Sequence, residues 1–389
     1  MKIHFIGIGG IGVSALAQYY LLSGHDVSGE DVTQSQIIEK LEDMGAKISK
    51  VESCDLVIYS PAINENQLKP FREKGIKVMS YPEALGELAK EYFTIAISGT
   101  HGKSTTTAML SLILIEAGLD PTVIVGTKLK EFNGSNFKMG NSNYLIIEAC
   151  EHEASFLNYH PDIGVILNIE ADHLDYYGDI QNVKNAFDKF ASQSKKVIKD
   201  VPIIEELKMN VPGEHNKSNA SFAVSVAREI GINDEVSFSA ISKFTGTWRR
   251  FDEHIINNLI IIDDYAHHPT EILATIKSVR EKYGDKKIYC FFQPHQHQRT
   301  SLLLNDFIDV FGQSLKIIDK IFLIDIYDVC GRENKEIKIN SEEIAKMVDG
   351  LEYVKKENVL SKIKEAEVVV FMGAGDIYNL SCDIRKTII

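Results

Sequence analysis

Lys103 and Ser104, directly after Gly102, are the pair of side chains that a nucleoside triphosphate most needs. In GTHGKSTT, residues 99–106, Lys103 sets a positive charge against the β- and γ-phosphates and Ser104 offers a hydroxyl to Mg²⁺. A helix opening at Thr105 aims its amides at the same anion. A full phosphate loop has a further glycine six residues before the lysine, where this chain has Ile97, so the loop is a shorter one led by Gly99. Gly-Lys-Ser also arises by chance. Its setting gives it meaning: the apolar run FTIAIS precedes it and the helical pattern AMLSLILIEAG follows.

A phosphate site with Mg²⁺ needs oxygen or imidazole ligands at the ends of neighbouring strands. Glu148 ends the run YLIIEA, and Asn168, Asp172, His173 and Asp175 follow the strand DIGVILN. A lone glutamate is usually solvated and a lone histidine usually a structural hydrogen-bonder, so their joint placement carries the reading. Asn216 and Asn219 open an amphipathic helix, where helix capping is the plainer role. Arg249 and Arg250 lie beside a candidate hinge, either as surface charge or with a guanidinium that reaches a γ-phosphate. The strand LIIIDDYA ends in Asp263, Asp264 and Tyr265, with His267 and His268 just beyond, and QPHQHQRT, with Arg299, ends the next strand in the same way.

A second glycine turn, Gly7-Ile8-Gly9-Gly10-Ile11-Gly12, also follows a strand and opens a helix. Its glycines let backbone N–H groups approach a pyrophosphate at the helix N-terminus, and Asp31, at the end of the next strand, is placed for a ribose hydroxyl. A tight strand–helix crossing without ligand is the other reading, and NAD, FAD and UDP all fit this turn alone.

The elements that must position these groups follow one grammar. KIHFIGI, FTIAIS, YLIIEA, DIGVILN, LIIIDDYA, KIYCFFQP, KIFLIDIYD and VVVFMGAG read as buried strands, several followed by helix patterns such as PTEILATIKSVREKYG. Continuous apolar strands alternating with helices predict an α/β protein with parallel sheets. At 389 residues the chain is long enough for two or three domains, with boundaries expected near Glu91 and Thr245.

A hydrophobic content of 44%, 25% charged residues and a net charge of -13 describe a globular protein suited to neither nucleic acid nor an acidic membrane surface. Cys54, Cys150, Cys290, Cys330 and Cys382 are odd in number, scattered and without a CxxC pair, which argues against a disulfide framework or a zinc site. The apolar N-terminus is interrupted by glycines and is read as mature structure rather than a signal peptide, so a reducing cytoplasmic setting is expected.

In their order, GIGGIG, GTHGKSTTT, NIEADHLDYYGD, HNKSN, RRF, DDYAHHPTE and QPHQHQRT resemble the Mur ligase family over nearly the whole chain. The resemblance is to the branch that adds L-alanine to UDP-N-acetylmuramate. It implies three domains: an N-terminal Rossmann-like domain for the UDP-sugar at 1–91, a central P-loop ATPase-type α/β domain at 92–245, and a C-terminal Rossmann-like domain for the amino acid at 246–389. The implied reaction converts the lactyl carboxylate to an acyl phosphate with ATP. Alanine's amine then attacks, and the tetrahedral intermediate expels phosphate.

By the same resemblance, Gly99, Thr100, His101, Gly102, Lys103, Ser104, Thr105, Asn216, Asn219, Arg250 and Asp264 meet ATP, with Lys103, Glu148, His173 and Arg250 as catalytic groups. Ser104, Glu148 and His173 hold Mg²⁺, with Mn²⁺ as the alternative ion. Gly7, Gly9, Gly10, Ile11, Gly12 and Asp31 meet the UDP-sugar, and Tyr265, His267 and Arg299 shape the amino-acid pocket. A carbamylated lysine belongs downstream of the motif histidine, a region that holds Lys184 and Lys189. The C-terminal domain is expected to close over ATP.

Three departures stand out. Ser104 replaces the family's threonine, Gln296 replaces an arginine after the motif histidine, and the stretch between AFDKFA and GEHN is short, which implies a trimmed central domain. Two other readings compete: a murein-tripeptide recycling ligase acting on the same UDP-sugar, and a nucleotide-binding protein without ligase activity. The motifs do not encode an oligomeric state.

Overall fold

The computed structural model describes residues 1–328 and 339–388, so Cys330 and the side chain of Asp175 lie outside the described residues. Among the described residues, seventeen strands form three sheets. The first contains β1 (Lys2–Ile6), β2 (Asp26–Glu30), β3 (Lys47–Ile48), β4 (Leu56–Tyr59) and β5 (Lys77–Ser80), in the all-parallel order β3-β2-β1-β4-β5. That order places the turn after β1 at the point where strand succession reverses, the position at which open α/β sheets bind ligands.

The second sheet contains β6 (Phe93–Ser98), β7 (Thr122–Leu129), β8 (Ser135–Lys138), β9 (Tyr144–Glu148), β10 (Ile163–Ile166) and β11 (Lys196–Ile198), in the order β11-β10-β6-β9-β7-β8. β6 lies between β10 and β9, with Ser98 opposite Ile166 and Ile97 opposite Glu148. The loops that leave these three strands therefore start from one edge. The third sheet holds β12 (Asp252–Ile256), β13 (Leu259–Asp264), β14 (Ile288–Phe292), β15 (Lys320–Leu323), β16 (Leu351–Tyr353) and β17 (Val368–Met372), in the order β12-β13-β17-β14-β15-β16. Both faces of that sheet are buried by alternate residues: Ile262, Cys290, Phe292 and Val370 pack on one side, Ile261, Phe291, Phe322 and Phe371 on the other.

The expectation of parallel sheets needs one correction. β7 pairs with β8, and β12 with β13, antiparallel. Between β12 and β13 stand only Asn257 and Asn258, both left-handed, with φ of 48° and 68°. A two-residue turn of that kind makes a hairpin, since a parallel return needs a long crossover.

The chain forms two compact units. One comprises Met1–Asp172, Tyr176–Lys208 and Asn219–Lys243 and contains the first two sheets; the other comprises His173–Asp175, Met209–Ser218 and Phe244–Ile389 and contains the third. Within the first unit, the helix Ile11–Leu22 is tied to β8 by buried amides. Asn136 donates to the Ile11 carbonyl and to Ser14 Oγ at 3.1 Å, Gln18 donates to Asn136 Oδ1 at 3.0 Å, and Ser135 donates to Gln18 Oε1 at 2.9 Å. No helix among the described residues is long and apolar enough to cross a membrane.

Candidate active site

The loop after β6 enters the helix Lys103–Glu116 through two left-handed glycines, Gly99 at φ 143° and Gly102 at φ 83°. Both are also pressed by neighbours: a Cβ on Gly99 would lie 2.9 Å from Leu167 Cβ, and one on Gly102 would lie 2.3 Å from Asn219 Oδ1. The loop is pinned to the segment after β10. Asn168 Oδ1 accepts from His101 N at 2.8 Å, its Nδ2 donates to His101 O at 3.1 Å, and Thr100 Oγ1 accepts from Glu170 N at 2.9 Å. The His101 ring lies 3.4 Å from the Glu170 carboxylate. Ser104 and Thr105 are buried in the first helical turn.

Lys103 gives its three N–H donors to Gly99 O at 2.6 Å, Thr100 O at 3.1 Å and Glu151 Oε2 at 2.8 Å. Burial opposes the charge of this ammonium, yet the adjoining Glu151 carboxylate outweighs it and holds the lysine pKa above its ordinary value. Glu148, at the end of β9, accepts from Gly126 N at 2.6 Å. Asp172 is buried, and the next residue, His173, has left-handed backbone with φ 52°. Lys184 and Lys189 are both exposed on the helix Ile180–Gln193, whose Val183, Phe187 and Phe190 face the core.

In the first turn, Gly7 is left-handed at φ 79°, and Gly7 N and Ile8 N both donate to Glu30 O. Asp31 accepts from Gly9 N at 2.9 Å and from Thr33 N at 3.2 Å. Gly10 caps the helix that starts at Ile11, and Gly12 abuts Tyr81, whose ring a Cβ would meet at 2.8 Å. Close packing thus explains Gly12, and the Asp31 carboxylate takes the Gly9 N–H.

In the second unit the two arginines have different surroundings. Arg249 is buried, donates to Gly373 O at 2.6 Å and Gly375 O at 3.1 Å, and lies over Trp248, Tyr265 and Tyr378. Arg250 is half-buried over the Tyr265 ring. Asp264, at the end of β13, accepts from Phe251 N at 2.9 Å and Ala266 N at 2.8 Å, and burial pushes its pKa up to about 6. Asp263 points away from these groups, toward Arg385 at 3.3 Å and His254 at 3.5 Å, which is a structural role.

His267 Nδ1 lies 3.0 Å from Tyr265 O and 3.3 Å from Glu271, and its ring approaches His295 edge-on. His268 caps the helix Pro269–Tyr283 together with Glu271. Arg299 lies on the short helix His297–Leu302, which starts after left-handed Gln296 at φ 65°. Asn216 donates to Pro212 O at 2.7 Å, and burial lowers the pKa of its neighbour His215 to about 4. Glu151 and Glu170 carry no candidate role in the sequence reading; the second carboxylate of EACEHE is the available signal for Glu151.

Profiles of one family cover the chain in order: the Mur ligase family catalytic domain over residues 2–93, the Mur ligase middle domain over 97–205, and the Mur ligase glutamate ligase domain over 249–375. The chain belongs to the Mur ligase family. Mur ligase membership extends across its whole length in individual relatives too. The UDP-N-acetylmuramate–L-alanine ligase of Clostridium tetani is 38% identical, covering 97% of this chain and 96% of the relative, and that of Clostridium botulinum (strain Okra / Type B1) is likewise 38% identical with the same coverage. The match to the first spans 450 positions, more than the 389 residues here, so this Mur ligase lacks segments the relative has. Among solved structures, the UDP-N-acetylmuramate–alanine ligase of Thermotoga maritima superposes with a TM-score of 0.83 at 26% identity, covering 100% of this chain and 99% of the other. A murein peptide ligase from Psychrobacter arcticus shares the fold at a TM-score of 0.71 and 22% identity, covering 100% and 98%. ATP use follows from the family.

Proposed function

We propose that this chain is a UDP-N-acetylmuramate–L-alanine ligase of peptidoglycan precursor synthesis, acting in the cytoplasm. The observation that carries the reading is end-to-end identity of 38% with ligases of that name, with Lys103, Ser104 and Glu148 held at one sheet edge. ATP phosphorylates the lactyl carboxylate, the amine of L-alanine attacks the acyl phosphate, and phosphate leaves. Phosphoryl transfer of this kind depends on positioning and on charge neutralisation. The pinned glycine loop supplies the first and Lys103 the second.

The donors at the edge suit a hard divalent cation: a hydroxyl on Ser104 and a carboxylate on Glu148, with no side chain on Gly126 to crowd Glu148 Oε2. Mg²⁺, with Mn²⁺ as alternative, would be held by Ser104 and Glu148, with His173 assigned to a second ion, and would neutralise phosphate charge. The turn Gly7 to Gly12 is assigned to the UDP-sugar. In the second unit, Tyr265, His267 and Arg299 are assigned to the amino acid, and Arg250 and Asp264 to the nucleotide. We assign domain boundaries at 91/92 and 245/246, and the trimmed segment to the region between residues 191 and 213.

Phosphate release with ATP, Mg²⁺ and UDP-N-acetylmuramate tests the reading, with L-alanine, glycine, L-serine or the L-Ala-γ-D-Glu-meso-diaminopimelate tripeptide added in turn. Release that depends on L-alanine is expected. Release with the tripeptide alone would assign the chain to murein recycling instead, and silence with every acceptor would remove the ligase reading.

A further inference from the structure

The turn Gly7 to Gly12 leaves β1, and Tyr81 is the first residue after β5. Every pairing in the first sheet is parallel, so both segments emerge from one edge, with β4 between them. The backbone at Tyr81 is held firmly. Ser80 caps the helix Tyr81–Ala89 together with Glu83, whose carboxylate accepts from Ser80 N and Ser80 Oγ, both at 2.7 Å, and Pro82 follows in the first turn. From there the side chain reaches over the glycine turn. A Cβ on Gly12 would lie 2.8 Å from Tyr81 Cζ and 2.9 Å from its Oη, so the hydroxyl end of the ring rests on the second residue of the helix Ile11–Leu22.

Two features of this contact point to a ligand. Gly10 caps that helix with no side-chain hydrogen bond, which leaves first-turn amides for an acceptor from outside. Tyr81 is half-buried, yet its Oη has no hydrogen-bond partner among the described residues, where a phenol so enclosed usually has one. Burial first, and then the Glu148 carboxylate, hold its pKa above the ordinary value, so the group is a hydroxyl donor and not a phenolate. A donor beside open helix amides suits an anionic oxygen. Of the parts of a UDP-sugar, the diphosphate is the one that a glycine turn and helix start bind.

We propose that Tyr81 is a further UDP-sugar-binding residue, whose hydroxyl donates to a diphosphate oxygen held at the turn Gly7 to Gly12. The proposal rests on the assignment of that turn to the UDP-sugar.

The test compares wild type with Tyr81→Phe on the full chain, since phenylalanine keeps the ring against Gly12 and removes only the hydroxyl. Calorimetry measures binding of UDP, which has the diphosphate without the sugar, of UDP-N-acetylmuramate, and of a non-hydrolysable ATP analogue with Mg²⁺. Y81F is expected to lose about tenfold in affinity for UDP and for UDP-N-acetylmuramate alike and to bind the ATP analogue as wild type does. Its melting temperature without ligand is expected to be no lower, because the hydroxyl bonds to nothing in the free protein. In turnover, KM for UDP-N-acetylmuramate is expected to rise about tenfold with kcat unchanged. Wild-type affinities in Y81F would overturn the proposal. So would a loss for UDP-N-acetylmuramate that spares UDP, which would move the contact to the muramyl part, or a lowered melting temperature with normal binding, which would make the hydroxyl a packing group. Wild type that binds no UDP would instead overturn the assignment of the turn itself.

Discussion

Asn219 Oδ1 stands 2.3 Å from the point where a Cβ on Gly102 would lie, and Gly102 holds φ at 83°. The glycine assigned to the nucleotide is thus also the one against which the side chain of Asn219 packs. Two separate penalties meet at this residue, a left-handed backbone and a rigid amide neighbour. Gly102→Ala is expected to destabilise the protein by about 1–3 kcal/mol and to reduce kcat/KM for ATP by roughly a hundredfold. Thermal unfolding and steady-state kinetics check it, and a variant with wild-type values for both would contradict the argument.

Lys103→Ala removes the ammonium without touching the turn at Gly7 to Gly12. Loss of turnover by roughly 10³-fold is expected, with UDP-sugar binding preserved. If calorimetry showed both ligands lost together, the assignment of separate sites to the two glycine turns would fall.

Asp264 gives a pH dependence whose sign can be worked out. Its folded pKa is raised from an ordinary 3.8 to about 6 because burial disfavours the carboxylate. Between these values the folded state holds a proton that the unfolded state has released, so stability falls as pH rises. This group should cost about 3 kcal/mol in all as pH rises from about 3 to about 7 and add no further change above that. Urea unfolding across this range measures it, and Asp264→Asn should flatten the slope. An unchanged slope in the variant would reassign the effect to another group.

The paired arginines should separate in experiment. Arg249 holds two carbonyls after β17 and lies against three aromatic rings, so Arg249→Ala is expected to cost about 3 kcal/mol of stability. Arg250→Ala should change stability by less than about 1 kcal/mol and lower kcat roughly a hundredfold. Melting temperatures and kinetics on both variants would show a reversed assignment at once.

Much of this Mur ligase is visible in local sequence, because the features concerned are local. A strand needs a run of apolar β-branched residues, and a phosphate turn needs glycines where φ is positive; FTIAIS with Gly99 and Gly102, and KIHFI with Gly7, carry both within a few residues. The hairpin at Asn257-Asn258 is equally local, since two left-handed asparagines are enough to reverse the chain.

Partners across the chain are a different matter. Glu151 meets Lys103, and Asn168 meets His101, only because β9 and β10 flank β6 in the second sheet. That order comes from non-local strand pairing, which no stretch of residues encodes alone. Which of two adjacent arginines is buried follows likewise from the backbone turn at Arg249, left-handed at φ 56°, and from glycine carbonyls at the end of β17. Residue types and their order are enough to name the chemistry, but the charge that each group carries depends on what the fold packs beside it.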